Sequence, residues 1–289
     1  MIGIVYNNYN KLKMKNELSS IKFQMVEDIE LVHTTKDLSD YSTLIVDTSF
    51  DYTKKNDKND KCRNQNIVII VDDINKTIYE SDNIIAIQYS SVNVKNKLIE
   101  KYTFLNNYES IVIGCIPRQK LEIEPLTTQG NTIFYHGEDK PEDMVDEMFL
   151  LDVETHYEIL FYENKTEEVP SKKHKLSWNV TTNENLKGII QYKIIKEIEN
   201  GCLPILLKEN MPRYFFAYPF IVTKEELKDK DLLVKKVKSI SSYISKLSRD
   251  DFKMLANSIY NSIYINSKWK VEFYNLVEII RLHSVKPRV

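Results

Sequence analysis

The chain has 289 residues, 42% apolar and 28% charged, enough for two ordinary domains and too apolar for wholesale disorder. Its 40 basic and 42 acidic residues leave a formal charge of −2, which argues against a strongly basic nucleic-acid binder and leaves a local basic patch open. Six glycines exclude Gly-rich repeats, and three well-separated cysteines (Cys62, Cys115, Cys202) give neither a disulfide framework nor a zinc spacing, so a reducing compartment is expected.

Ile2–Tyr6 reads as a buried strand at the very start, where a signal peptide would otherwise stand, and no apolar run approaches the ~18 residues of a membrane span. Both features predict a cytoplasmic protein without membrane insertion. Glu17–Val26 reads as a helix and Glu30–His33 as a short strand. Thr43–Asp47 (TLIVD) and Ile67–Val71 (IVIIV) are near-continuous in β-branched residues, the pattern of parallel strands covered on both faces. The mixed-charge run between them, DYTKKNDKNDKCRNQN, reads as a solvated loop. Ile84–Gln88 follows as a strand, Val92–Phe104 as a helix and Ile111–Gly114 as a strand. Such alternation predicts a doubly wound, mostly parallel sheet.

Pro117, Pro125 and Gly130 mark Ile116–Gly130 as the domain boundary, giving domains at 1–120 and 130–289. Beyond it the alternation restarts with a strand at Thr132–Tyr135 and a turn at His136-Gly137. Pro141–Val153 is a helix with proline at its first position and acids in its first turn. Glu158–Tyr162 is the next strand. In residues 163–187 only Leu176, Trp178 and Val180 suggest another. Ile190, Ile194 and Ile198, with Ile195 beside them, then give a helix one apolar face, and Asn200-Gly201 ends it. Pro204–Leu207 is a buried strand whose first residue tolerates a missing N–H. A short strand at Tyr218–Val222 leads into helices at Val234–Leu247, Asp250–Tyr264 and Ser267–Leu282. No repeat of 20–50 residues is present; what is duplicated is the architecture, one Rossmann-like half following another.

Asp72-Asp73 follows the strand IVIIV, where open parallel sheets bind ligands. One ionised aspartate there suffices as a general base on a hydroxyl, and its neighbour would point the other way; the plain alternative is a cap or turn former. Asp47 holds an equivalent position but sits beside the capping residues Thr48-Ser49, so it ranks lower. The segment Tyr135–Lys140 joins a strand to a helix, where Gly137 allows close approach and Lys140 adds positive charge for an anion. Glu138, Asp139, Glu142 and Asp143 oppose that role, and His136 alone reads as structural. Lys193 and Lys196 lie at i and i+3 for a diphosphate, and a Glu on that helix, Glu197, can accept from ribose hydroxyls; the alternative is an ordinary Lys193–Glu197 surface pair. Cys115 and Cys202 read as small core residues, and no Ser–His–Asp arrangement or Walker loop is present.

These segments resemble the phage DNA β-glucosyltransferases, GT-B enzymes that glucosylate hydroxymethylcytosine. IVIIVDDI (Ile67–Ile74) resembles their F-T-D-I segment, which puts Asp73 at the catalytic base. Ile116-Pro117 resembles their F-P junction, and Ile133–Gly137 their V-I-Y-G-G turn, with Lys140 where a diphosphate arginine is expected. Ile159–Asn164 is similar to I-E-F-F-G-N, and Lys193–Gly201 to R-V-W-E-T-M-A-S-D, whose ribose-binding Glu falls on Glu197 or on Lys196. FKMLANSIYN and SKWKVEFYNLVEII resemble the closing helices. A second diphosphate arginine has no counterpart, and Asn7-Asn8 stand where the first donor loop has glycine.

The resemblance implies an α/β chain of two Rossmann-like domains facing across a cleft, with C-terminal helices packing back on the first. It implies an inverting transferase moving a sugar from a nucleoside-diphosphate sugar, UDP-glucose first, to a hydroxyl acceptor, with a hydroxymethylated base in DNA as first choice. Asp73 would be catalytic, and Gly137, Lys140, Lys193, Lys196 and Glu197 would bind the donor. It implies no tightly bound cofactor, leaves a divalent metal open with no ligand set identified, and suggests a monomer, in the host cytoplasm if phage-encoded. The alternatives are a transferase acting on a cell-surface glycan or protein, and a non-catalytic Rossmann-like binding protein.

Overall fold

A computed structural model describes the chain apart from residues 8, 9, 12, 16, 19–28, 51, 53–64, 115–119, 126–129, 137–158, 163–172, 183–186, 189, 191, 216, 268 and 285–289. The chain divides into two compact units. One comprises Met1–Gly114 with Lys268–Val289, the other Cys115–Ser267.

In the first unit six parallel strands form one sheet in the order β2-β1-β3-β4-β5-β6: β1 (Ile2–Tyr6), β2 (Ile29–His33), β3 (Thr43–Asp47), β4 (Asn66–Val71), β5 (Ile84–Tyr89) and β6 (Glu109–Val112). The β-branched runs occupy the middle, and every residue of β3, β4 and β5 is buried. Burying each such aliphatic side chain contributes roughly 1.5–3 kcal/mol, so β3 to β5 anchor the unit. Helix α1 (Val92–Lys101) starts at Ser91, whose hydroxyl accepts the Val94 N–H at 3.1 Å. It ends at Lys101, three residues before the expected Phe104, and Thr103–Asn107 tighten into a 3₁₀ turn.

The second unit repeats the winding. Its five parallel strands run β11-β10-β9-β7-β8: β7 (Gly130–His136), β8 (Ile159–Tyr162), β9 (His174–Asn179), β10 (Leu203–Leu207) and β11 (Ile221–Val222). His136 is the last residue of β7, and Gly137, the other half of the expected turn, lies outside the described residues. Between β9 and β10 lies helix α2 (Tyr192–Glu199), with Ile194, Ile195 and Ile198 buried. Gly201 terminates it at φ +77°, a backbone that costs glycine little. Its N–H bonds Ile198 O at 2.9 Å while Cys202 N–H bonds Glu197 O at 2.8 Å, the paired bonds of a Schellman cap.

The strand expected at Tyr218–Val222 shrinks to β11. Tyr218 is drawn out of it into the core, where its hydroxyl donates to Pro204 O at 2.5 Å. Helices α3 (Lys224–Lys228), α4 (Lys230–Lys246) and α5 (Arg249–Asn266) follow in the same unit. Helix α4 begins four residues before the apolar periodicity does, because the Asp229 carboxylate caps it by accepting from the Asp231 and Leu232 N–H groups. The last helix, α6 (Trp269–Ser284), belongs to the first unit. Phe273, Leu276, Val277 and Ile280 are fully buried, and α6 packs on β4, β5 and β6. The division thus differs from the expected 130–289 segment: residues from Lys268 onward leave it, because their apolar stripe covers the first sheet.

The expected helices Glu17–Val26 and Pro141–Val153 lie outside the described residues, except that Glu17 and Leu18 are helical. The solvated loop expected at 51–66 and the boundary at Ile116–Gly130 lie largely outside them.

Candidate functional site

In a sheet ordered 2-1-3-4-5, consecutive connections run in opposite directions on either side of the first and third strands. Their carboxyl ends therefore border a crevice that no connection covers. In the first unit that point falls between β1 and β3, and a connected polar cluster fills it. Asn7 and Asn10 lock the loop after β1 through reciprocal bonds, Asn7 N–H to Asn10 Oδ1 at 2.7 Å and Asn10 N–H to Asn7 Oδ1 at 3.0 Å. Asn10 Nδ2 donates to Asp47 Oδ2 at 2.8 Å, while Ser49 gives Asp47 Oδ1 its hydroxyl at 2.6 Å and its N–H at 3.0 Å. Asn7 Nδ2 in turn donates to Ser49 Oγ at 3.0 Å. Asp47 is buried with both oxygens occupied, which makes it a structural acceptor.

Lys13 ties this cluster to the end of β4. Its ammonium lies 2.8 Å from Asp72 Oδ2 and 4.0 Å from Asp47 Oδ2. Burial pulls its pKa down, but Asp72, then Asp47 and Glu17, outweigh burial and hold the ammonium above its ordinary value. Asp73 is half-buried and makes no ion pair with Lys13. Its Oδ1 accepts the Asn75 N–H at 2.8 Å, closing the turn after β4. Asp47 has both carboxylate oxygens engaged, whereas Asp72 and Asp73 each use one, Asp72 for Lys13 and Asp73 for Asn75; among the described residues Asp73 is the one of the three with no cation at ion-pair distance. The two readings of Asp73, turn former and base, are compatible, since the turn uses one oxygen only.

In the second unit Glu197 is 1% exposed and faces β9. Its Oε2 accepts from Ser177 Oγ at 2.6 Å and Asn179 Nδ2 at 2.7 Å, while Oε1 is buried without a partner among the described residues. Burial pushes its pKa up to about 7, against the opposing pull of Ser177, Lys193 and Asn179. Burial likewise raises the Cys202 thiol well above its usual range, so Cys202 is an inert core residue, as its apolar surroundings in sequence suggest.

The placement refines the expected donor residues. Glu197, expected to accept from ribose hydroxyls, points into the helix–sheet interface, where its Oε2 is taken by Ser177 and Asn179. Lys196 is ion-paired with Glu199 one turn on, and the charge of Lys193 is felt at Glu197. Gly137 and Lys140 lie outside the described residues. Asp73 belongs to the first unit, and Lys193, Lys196 and Glu197 to the second. Sequence reasoning missed Asn10, Lys13, Ser177 and Asn179. The polar residues alternating with Leu176 and Trp178 were a signal for the last two; a lone lysine on a helix carries none. Among the described residues no group of three or more His, Cys, Asp or Glu side chains is placed to hold a metal ion. No described helix is long and apolar enough to cross a membrane.

No protein-family model matches the chain, and no curated protein matches it in sequence. In structure it is similar to a DNA-modifying β-glucosyltransferase whose substrate is uridine diphosphoglucose, with a TM-score of 0.60 and 12% identity over 97% of this chain and 100% of that one. It is also similar to the pneumococcal O-GlcNAc transferase GtfA, solved in complex with UDP and GlcNAc, with a TM-score of 0.54 and 10% identity over 83% of this chain and 57% of that one. At these identities the likeness is one of fold: the chain has the mixed α/β fold of the GT-B glycosyltransferases, as its two successive Rossmann-like halves lead one to expect.

Proposed function

We propose that the chain is a glycosyltransferase that moves a sugar from a nucleoside-diphosphate sugar to a hydroxyl acceptor. The observation that supports this most is the end-to-end likeness to a transferase acting on uridine diphosphoglucose, spanning 97% of this chain and the whole of that one. In the proposed reaction the acceptor oxygen bonds the anomeric carbon as the bond to the diphosphate oxygen breaks. The hydroxyl proton passes to Asp73, and the nucleoside diphosphate leaves with the electron pair. Attack opposite the leaving group inverts the carbon. Asp73 suits the base because its neighbours Asp47 and Asp72 are already committed to Asn10, Ser49 and Lys13.

The second unit supplies the donor grip in this reading, with the backbone at Gly137 and the charges of Lys140 and Lys193 on the diphosphate. Lys196, ion-paired with Glu199, is the further candidate on the same helix. Glu197 acts as a positioning residue, holding α2 against β9 through Ser177 and Asn179. UDP-glucose is the first-choice donor and a hydroxymethylated base in DNA the first-choice acceptor, ahead of a glycan or protein hydroxyl.

Thermal unfolding with a panel of nucleoside diphosphates and their sugars tests this directly. Binding to the native state alone raises Tm, by about 2.7 kcal/mol of added stability at a hundredfold excess over Kd. A shift with one nucleotide and transfer to hydroxymethylated DNA support the full reading. A shift without transfer to any hydroxyl acceptor reduces the chain to a Rossmann-like nucleotide-binding protein, and no shift with any nucleotide removes the reading altogether.

A further inference from the structure

A cavity of about 370 Å³ opens in the first unit at the amino ends of β5 and β6, floored by Ile84 and Ile85 and walled by Asn106, Tyr108, Glu109 and His283. Asp47, Asp72 and Asp73 stand at the carboxyl ends of the same sheet, a strand's length away, roughly 17 Å. The polar walls have spent their own donors. Tyr108 gives its hydroxyl proton to Ser81 O at 3.2 Å and takes the Ser81 N–H at 3.2 Å, which fixes the ring, and Phe104 packs against it edge to face. Asn106 Nδ2 donates to Thr103 O at 3.2 Å, so its Oδ1 is left to accept. His283 Nδ1 lies 2.9 Å from Ile279 O. A carbonyl only accepts, so the proton of the neutral ring sits on Nδ1 and Nε2 keeps a bare lone pair. Glu109 is exposed and has no ion pair among the described residues. Burial raises the Tyr108 pKa, the bond to Ser81 opposes it, and the charges of Glu80 and Asp82 add to the rise, which puts both carboxylates beside the same wall. Neither is paired with a cation among the described residues.

We propose that this cavity binds a small aliphatic diamine, with one ammonium among Asn106 Oδ1, Glu109 and His283 Nε2, the methylene chain over Ile84, Ile85 and the Tyr108 ring, and the second ammonium toward Glu80 and Asp82. The walls present acceptors, and an ammonium brings three donors and no acceptor. The ring of Tyr108 adds attraction for a cation. An anion would meet Glu80, Asp82 and Glu109. A sugar or a nucleobase carries acceptors of its own, and Asn107 is the single lining side chain with an uncommitted donor to offer them. A divalent ion would find one lining carboxylate, Glu109, where it needs six or more oxygens, and would leave the apolar floor unused. The amine is not an acceptor of the proposed transfer, because it sits at the other end of the sheet from Asp73, and the inference holds whether or not the chain transfers a sugar.

The test is isothermal titration calorimetry of the full chain with putrescine, a four-carbon diamine, and no nucleotide or sugar. Saturable binding at equal stoichiometry is expected. Glu109→Gln keeps an acceptor without the charge and should weaken binding about tenfold, the low end for a hydrogen bond to a charged group. His283→Phe keeps a ring without the lone pair and should weaken it about fivefold. Butylamine, which lacks the second charge, should bind about threefold more weakly than putrescine. Glu225→Gln, exposed on α3 in the second unit, should bind as the wild type does. The proposal is overturned by any of four results: no saturable heat from the wild type, undiminished binding by Glu109→Gln, an equal loss in Glu225→Gln, or butylamine binding as tightly as putrescine. Displacement of putrescine by an equal concentration of magnesium chloride would also overturn it, since the site would then belong to a metal. Glu109 is exposed, so unchanged circular dichroism of its variant confirms that folded proteins are being compared.

Discussion

Ser177 on β9 donates its hydroxyl to Glu197 on α2 at 2.6 Å, and Asn179, two residues along the same strand face, donates to the same oxygen at 2.7 Å. A helix short enough to have little stability of its own is thereby stitched to the sheet through a carboxyl group that water does not reach. The arrangement favours the neutral acid, since the charged form would carry a second, unpartnered oxygen into a dry interior.

Stability should therefore depend on pH in a defined window. Glu197 titrates near 7 in the folded chain against an ordinary 4.5, so between those values the native state keeps a proton the unfolded chain has lost. Stability from this group is complete below about 4.5, falls as pH rises and levels off above about 7, a span on the order of 3 kcal/mol. Glu197→Gln keeps the shape without the titration. Urea unfolding of both proteins through the window should show the wild type losing stability relative to the variant. Parallel curves would mean that Glu197 is not held neutral.

Lys13 gives a second prediction. Lys13→Met removes the cation between Asp47 and Asp72 and leaves two carboxylates facing one another. Because the Asp72 side chain is 46% exposed, solvent screens much of the interaction. The coupling between Lys13→Met and Asp72→Asn in a double-mutant cycle should be about 0.5–1 kcal/mol. Additive effects would reduce the pair to a surface contact without energetic weight.

Much of the fold could be read from runs of β-branched residues. Burial on both faces leaves no polar alternation, so Thr43–Asp47 and Ile67–Val71 announce themselves as central strands. That C-terminal helices pack back on the first domain was expected from the family resemblance alone, and α6 does belong to the first unit; an apolar stripe says that a helix is covered, never by what. Nor could spacing show where Glu197 points. At i+4 from Lys193 it reads as half of a surface pair, and only the packing of Ile194 and Ile198 on the sheet turns its carboxyl to Ser177. Asp72 and Asp73 were legible as a pair at a strand end, while their division of labour depends on Lys13, which is distant in sequence.

Gly201 offers a test of the α2–β10 turn. Its φ of +77° suits glycine, and a Cβ placed there would come within 3.3 Å of Pro125 Cα, Cβ and Cγ. Gly201→Ala should cost roughly 1–2 kcal/mol from the backbone alone, with more from the squeeze on Pro125. Gly201→Asn, tolerated better at positive φ, should share the crowding but lose less to the backbone. If thermal unfolding finds alanine no worse than wild type, the turn is not held in this conformation.

Asp73→Asn separates chemistry from structure. Asparagine retains the oxygen that accepts the Asn75 N–H, so the turn after β4 should survive and Tm should move little. What it loses is the ability to take a proton, and general-base catalysis typically contributes 10²–10⁴-fold. Transfer should fall by about that factor, while the thermal shift produced by a nucleoside diphosphate stays at the wild-type value. Asp72→Asn is the counterpart: it removes the negative charge paired with Lys13 and should lower stability while sparing most of the turnover. Should the Asp72 variant lose the reaction and the Asp73 variant keep it, the base has been assigned to the wrong member of the pair; should both turn over normally, proton removal does not rest on this strand end at all.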